Sequence, residues 1–254
     1  AREKVLGPEH PRVADSLNTL ANVHLDQGQH ARAEPLLQRA LAIREKVLGP
    51  EHADVAQSLN NLAQLYNDKG RYKEAEPLYR RALETNEKAL GPDDVEVGNV
   101  GLNFGLFYLQ QGRYAEAEPL MVRSLSIYET KLGARHPRVG QALNNLAALY
   151  RSQGLYPRAE SFYTRALANF EAAYGPEHPE VGAGLNNLAS LYGACAPLVW
   201  AAAGKRWEQL KNRRLLIPPL CLVPAFLLAA GYRLFRLLIW PEPTFVISEY
   251  AEAM

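Results

Sequence analysis

The stretch "SLNNLAQLY" (Ser58 to Tyr66) returns, lightly edited, as "ALNNLAALY" (Ala142 to Tyr150) and "GLNNLASLY" (Gly184 to Tyr192). Asparagine is a poor helix former that ordinarily serves caps and turns. A pair of them recurring inside an apolar helix pattern must be needed there by the fold or by a ligand. Working outward, Gly-Pro-Glu-His at 7–10 recurs at 49–52 and 175–178, with Gly-Pro-Asp-Asp at 91–94 and Gly-Ala-Arg-His at 133–136 in the same phase. Gly7, Gly49, Gly91, Gly133 and Gly175 are each 42 residues apart, and Gly28, Gly70, Gly112 and Gly154 keep that period without an insertion. The chain is an internal repeat, and that decides the fold class before any single residue does.

Each unit reads as two helices. Val55, Leu59, Leu62, Ala63 and Tyr66 have the spacing of one helical stripe, and Gly70 breaks it. Tyr72, Ala75, Tyr79, Ala82 and Leu83 form the second stripe, which stops at Leu90-Gly91-Pro92. Pro11, Pro137 and Pro179 suit the first turn of a helix. Pro35, Pro77 and Pro119 fall a little inside one, where a slight kink is expected. Small residues such as Ala63, Ala75 and Ala82 let the two backbones approach. No pair can bury both apolar faces alone, so pairs must stack into a solenoid.

Leu62-Ala63, Tyr66, Gly70, Tyr72, Ala75, Tyr79 and Ala82 match the tetratricopeptide-repeat (TPR) pattern position by position. The longer unit, with "NNLAxLY" and "EKxLGPEHP" wording, resembles the repeats of kinesin light chains and their bacterial look-alikes. The resemblance implies an all-α TPR α-solenoid, a right-handed superhelix of stacked antiparallel helix pairs; beyond its reach the chain adds an apolar C-terminal tail. The array is expected over 1–192. It comprises the second helix of a partial unit at 1–6, pairs at 11–48, 53–90, 95–132 and 137–174, and the first helix of a last unit at 179–194. In the third unit Gly101, Leu102, Phe104 and Gly105 depart from the pattern, so that first helix is expected to be looser. The chain starts at Ala1, part-way through a unit, and reads as a fragment or a trimmed form.

In TPR arrays the first helix of each pair lines the concave face, and the resemblance places the groove-facing residues here. Asn18, Asn60, Leu102, Asn144 and Asn186 form one row; Thr19, Asn61, Asn103, Asn145 and Asn187 form the next. Asn22 and Gln64, then Asp26, Asp68, Gln110 and Ser152, lie further along, with Asn67 and Arg151 at the edge. An amide both donates and accepts, so a ladder of them can hold a peptide backbone of any sequence. Units about 10 Å apart suit roughly three extended residues each. The alternative stays open that one asparagine of each pair bonds its neighbour across the inter-repeat joint. Arg151 is the only cation in the groove, beside Asp15, Asp26 and Asp68, so a neutral or mixed peptide fits better than an acidic one.

Lys plus Arg total 28 and Asp plus Glu 27, a net charge of +1 that argues against nucleic acid as the main partner. The two cysteines, Cys195 and Cys221, have no metal-site or disulfide spacing, and a reducing, cytoplasmic setting is expected. His10, His52, His136 and His178 stand at one phase of the repeat, so translation along the solenoid keeps them apart and a helix-cap or loop role is expected rather than a metal. No GxSxG elbow, HExxH pair or phosphate-binding loop is present. Carboxylates in runs such as "YKEAEP" read as a solvated face. No cofactor and no enzyme activity are expected.

The pattern ends after Tyr192, and residues 193–254 form a divergent tail. Its segment 215–232, "LLIPPLCLVPAFLLAAGY", has no charge. Three readings stay open: a membrane span behind the basic cluster Lys205 to Arg214, an apolar cap on the last repeat, or a stretch foreign to the domain. For function, the leading expectation is a protein–protein interaction scaffold that binds extended segments of partner proteins. The alternatives are a membrane-tethered or self-associating spacer, and the regulatory arm of a larger protein.

Overall fold

The computed structural model describes residues 2–193. The tail from 194 onward, with its candidate membrane segment 215–232, lies outside the described residues. Among the described residues the helices run in the order α1 (Arg2–Leu6), α2 (Pro11–Asp26), α3 (His30–Leu48), α4 (Ala53–Asp68), α5 (Tyr72–Leu90), α6 (Val95–Gln110), α7 (Tyr114–Leu132), α8 (Pro137–Ser152) and α9 (Tyr156–Tyr174). Residues 179–193 are helical as well, and no strand occurs among the described residues. Ala1–Asn186 form one compact unit, and the remaining described residues, 187–193, belong to the unit that follows it.

In the four pairs from α2 to α9 each first helix has 16 residues and each second helix 19. Short connections complete the period. Among the described residues five helix starts carry histidine or aspartate caps at one phase, and at the last of them His178 Nδ1 accepts Glu180 N–H at 3.2 Å. His10, His52 and His136 accept the N–H of the residue two on through Nδ1 at 3.1, 3.1 and 3.2 Å, and Asp94 does so through Oδ1 at 2.8 Å. Each cap satisfies one of the donors that a helix start leaves unpaired. At the other end of α4, Arg71 N–H bonds Tyr66 C=O at 2.8 Å and Gly70 N–H bonds Asn67 C=O at 2.9 Å, with Gly70 at φ 71°. That is the Schellman closure, in which glycine takes the left-handed conformation without penalty. The glycines after second helices take a different positive-φ conformation from Gly70: Gly49 has φ 88° and ψ 158°. Pro35, Pro77 and Pro119 lie inside α3, α5 and α7, which continue through them.

The two helices of a pair pack most extensively, and each second helix packs on the first helix of the next pair. Ala14, Ala21, Ala33, Ala40, Ala63, Ala75 and Ala82 are completely buried at these crossings, with Leu37, Leu59 and Tyr79 filling the space around them. The expected looseness of the third pair is not found. Helix α6 approaches α7 so closely that a Cβ on Gly105 would stand 2.7 Å from Met121 Cγ, and one on Gly101 2.8 Å from Ser124 Oγ. Glycine removed side chain from α6, and Met121 and Tyr128 on α7 occupy the space. Phe104 stacks on Tyr79 across the joint with α5 at 5.5 Å and on Tyr108 of its own helix at 4.5 Å, a compact aromatic cluster.

Ion pairs run along the second helices at constant separation. Arg39–Glu3 (2.5 Å), Arg81–Glu45 (2.7 Å), Arg123–Glu87 and Arg165–Glu129 (3.0 Å) each span 36 residues. Singly such exposed pairs contribute little and are screened by salt; their regularity fixes the register between units. The "YKEAEP" reading changes accordingly. Glu76 is only a quarter exposed and binds Arg113 at 2.8 Å and Arg80 at 2.9 Å, while Glu74 pairs with Arg71.

Candidate functional site

First helices touch one another across pairs, α4 with α6 and α6 with α8, in addition to their contacts with second helices. They therefore crowd the inner side of the array. The residues of α4 left open there are Asp54, Gln57, Gln64 and Asp68, with Asn60 and Asn61 half-buried between them. The apolar stripe Val55, Leu59, Leu62 and Tyr66 turns the other way, into the core. Amphipathicity thus decides which amides reach the inner face.

The asparagines divide into distinct environments. Asn103 Nδ2 donates to Asn60 Oδ1 at 3.2 Å, linking the second row of one unit to the first row of the unit before. Asn67 Nδ2 donates to Gln110 Oε1 at 2.7 Å with the same 43-residue separation. Both are joint contacts of the kind left open above. Asn18 is 6% exposed, with neither amide atom hydrogen-bonded, and Asn67 is 9% exposed with Oδ1 unpartnered. Asn144 is half-buried and has a partner. Asn22, Gln64 and Asn186 are exposed, whereas Asn61, Asn145 and Arg151 are half-buried. Asn145 stands 43 residues after Leu102, where the ladder has no amide to offer it. Asn187 is half-buried and also has a partner.

Sequence reasoning missed Arg44. It is 4% exposed and reaches across the first joint, from Nη2 to Asp15 Oδ1 at 2.8 Å and from Nη1 to Ser58 Oγ at 2.9 Å and Asp54 C=O at 2.9 Å. A guanidinium can be buried at this cost only because several acceptors surround it. Its partners lie on two neighbouring first helices, so no pattern within one helix could reveal it. Among the described residues no three His, Cys, Asp or Glu side chains gather as a metal site. No helix among them is long and apolar enough to cross a membrane.

A family model described as tetratricopeptide repeat matches residues 1–46, 12–88, 96–172 and 141–194. The chain belongs to the tetratricopeptide-repeat family. Three solved structures similar to it share its fold. The crystal structure of BtubC (BKLC) from P. vanneervenii is 24% identical, covers 82% of this chain and 84% of its own, and superposes with a TM-score of 0.65; at that identity it speaks for the fold alone. A Podosopora anserina protein described as a kinesin light chain with nearly identical TPR-like repeats is 26% identical in two crystal structures. These cover 80% and 81% of this chain, 95% and 99% of their own, with TM-scores of 0.65 and 0.64. Among curated proteins, none matches. TPR repeats mediate protein–protein contacts and are generally non-catalytic, and this TPR chain is an interaction scaffold of that class.

Proposed function

We propose that this TPR array holds extended segments of partner proteins against the inner face of its first helices and performs no chemistry of its own. The observation that carries the reading is the strip Asn61, Gln64 and Asn145. All three stand on first helices and keep part of their surface open, and none has a hydrogen-bond partner among the described residues. Backbone N–H and C=O groups of an extended segment would satisfy both halves of each amide, independently of that segment's side chains. Asn60 and Asn103 belong to the scaffold in this reading, since they satisfy one another.

The test is an unbiased peptide-display selection on the full chain, beside a variant carrying Asn61→Ala, Gln64→Ala and Asn145→Ala. Circular dichroism and melting confirm that the variant is folded. Peptides that are enriched on the parent and bind the variant on the order of tenfold more weakly support the face as a recognition site. Absence of enrichment, or equal binding by both proteins, overturns the reading and leaves the array a spacer.

A further inference from the structure

The first joint of the array differs from the second at one level of its first helices. At the second joint Asn103 Nδ2 of α6 donates to Asn60 Oδ1 of α4 at 3.2 Å. The corresponding residues one unit earlier are Asn61 and Asn18. They make no such bond: Asn61 has no hydrogen-bond partner among the described residues, and both amide atoms of Asn18 are buried without one. Helices α2 and α4 also meet less extensively than α4 and α6 do. A buried amide without a partner is costly, so bringing Asn61 onto Asn18 would by itself be favourable.

The residue beside this pair is Arg44. Its Nη2 binds Asp15, three residues before Asn18, and its Nη1 binds Gln57 and Ser58, four and three residues before Asn61. Helical residues three or four apart stand one above the other. The planar guanidinium therefore sits between α2 and α4, gripping both, one turn from the two amides. At the second joint Asn86 holds the same phase. Its Nδ2 donates to Glu96 C=O of α6 at 3.3 Å, and it takes no partner on α4 among the described residues. The shorter side chain bridges nothing, and there the amides meet.

Building on the proposed peptide-binding role, we propose that Arg44 is a positioning residue of the inner face: it props α2 and α4 apart, keeps Asn61 off Asn18, and so leaves the Asn61 amide to the backbone of a bound segment. With a shorter side chain at 44 the joint closes, Asn61 Nδ2 donates to Asn18 Oδ1, and the strip of open amides loses a member. The same geometry accounts for a buried cation at a phase that Asn86, Tyr128 and Phe170 hold elsewhere. A guanidinium is rigid and carries donors on both sides, so it can span two helices that an amide or a ring cannot grip together.

The test asks whether Asn61 becomes coupled to Asn18 when the prop is removed from the full chain. Double-mutant cycles with Asn18→Ala and Asn61→Ala are run by urea denaturation in the parent, in R44N and in D15N, which frees the α2 end of the prop without shortening it. Circular dichroism confirms that each variant is folded. The two changes should be additive in the parent. In R44N they should couple by about fivefold in the unfolding equilibrium constant, the size of one net hydrogen bond. Peptides enriched by display on the parent should bind R44N about fivefold more weakly, and R44N should make no further difference in an N61A background. Coupling already present in the parent, or none in whichever of R44N and D15N is folded, overturns the prop. Coupling in R44N with peptide affinity unchanged, or a loss that persists in the N61A background, overturns the positioning role. An empty display selection overturns the peptide-binding reading and the positioning role together, and the cycles still decide whether Arg44 holds the joint open.

Discussion

The Arg113 guanidinium lies 4.3 Å from the centroid of the Tyr108 ring. Tyr108 lies near the end of a first helix, Arg113 caps the following second helix, and both bind Glu76 of the preceding unit, at 3.1 and 2.8 Å. The corner repeats one unit earlier, where Arg71 covers Tyr66 at 4.1 Å and binds Glu34 at 2.7 Å. A cation over an aromatic face and a shared carboxylate tie three segments that are distant in sequence.

These corners make stability pH-dependent in a definite direction. Hydrogen bonds from Arg113 hold the Glu76 carboxyl below its usual range, and Lys69, then Arg71, do the same for Glu34. A carboxylate with a depressed folded-state pKa stabilises the fold above its unfolded value, and that contribution is lost as pH falls through the folded one. The melting temperature should therefore hold down to about pH 4.3, the ordinary glutamate value, and decline below it. In melts followed by circular dichroism, the E34Q/E76Q variant should start lower at neutral pH and lose less on acidification.

The histidine caps are interchangeable with aspartate. His136→Ala should cost about 1 kcal/mol in urea denaturation, because it removes the acceptor for Arg138 N–H. His136→Asp should retain stability, since Asp94 already caps α6 in that role.

Glycine and aromatic residues compensate one another between the helices of a pair. Gly98 faces Tyr128 and Gly140 faces Phe170, whereas the corresponding residues one and two units earlier are Ala56 with Asn86 and Ala14 with Arg44. A Cβ on Gly140 would stand 2.6 Å from Phe170 Cε1. Gly140→Ala should destabilise by about 1–3 kcal/mol through overpacking, and the penalty should shrink in a Phe170→Leu background. A double-mutant cycle on unfolding free energies measures that coupling.

Asn67→Leu should be stabilising. Leucine holds the corresponding positions at Leu25 and Leu109, and the change removes an unmatched buried acceptor. A gain of about 1 kcal/mol is expected, read as a higher denaturant midpoint.

The solenoid was legible because translation carries it: residues one period apart share an environment, and the glycines mark that period in the sequence. What lies between units was less legible. The Asn103–Asn60 contact couples two rows at an offset of one unit plus one residue, while the sequence presents each row as if it stood alone. Counting side chains missing from α6 suggested looseness, because the residues that fill the gap, Met121 and Tyr128, belong to α7. Arg44 escaped notice for a similar reason: nothing in its own helix distinguishes a buried guanidinium from a solvated one.

The stretch "REKVLGPEH" stands at 2–10 and again, unchanged, at 44–52. The Arg–Glu contacts along the second helices repeat with the same translation. Excising 49–90 in frame would set Arg123 at the distance from Glu45 that Arg81 now has, so the new seam would be made of parts already matched to each other. Near-identical segments in tandem also invite unequal recombination, which adds or removes whole units. Such a molecule can change its reach in discrete steps without a new interface having to evolve, and its length behaves as a quantity that selection can count.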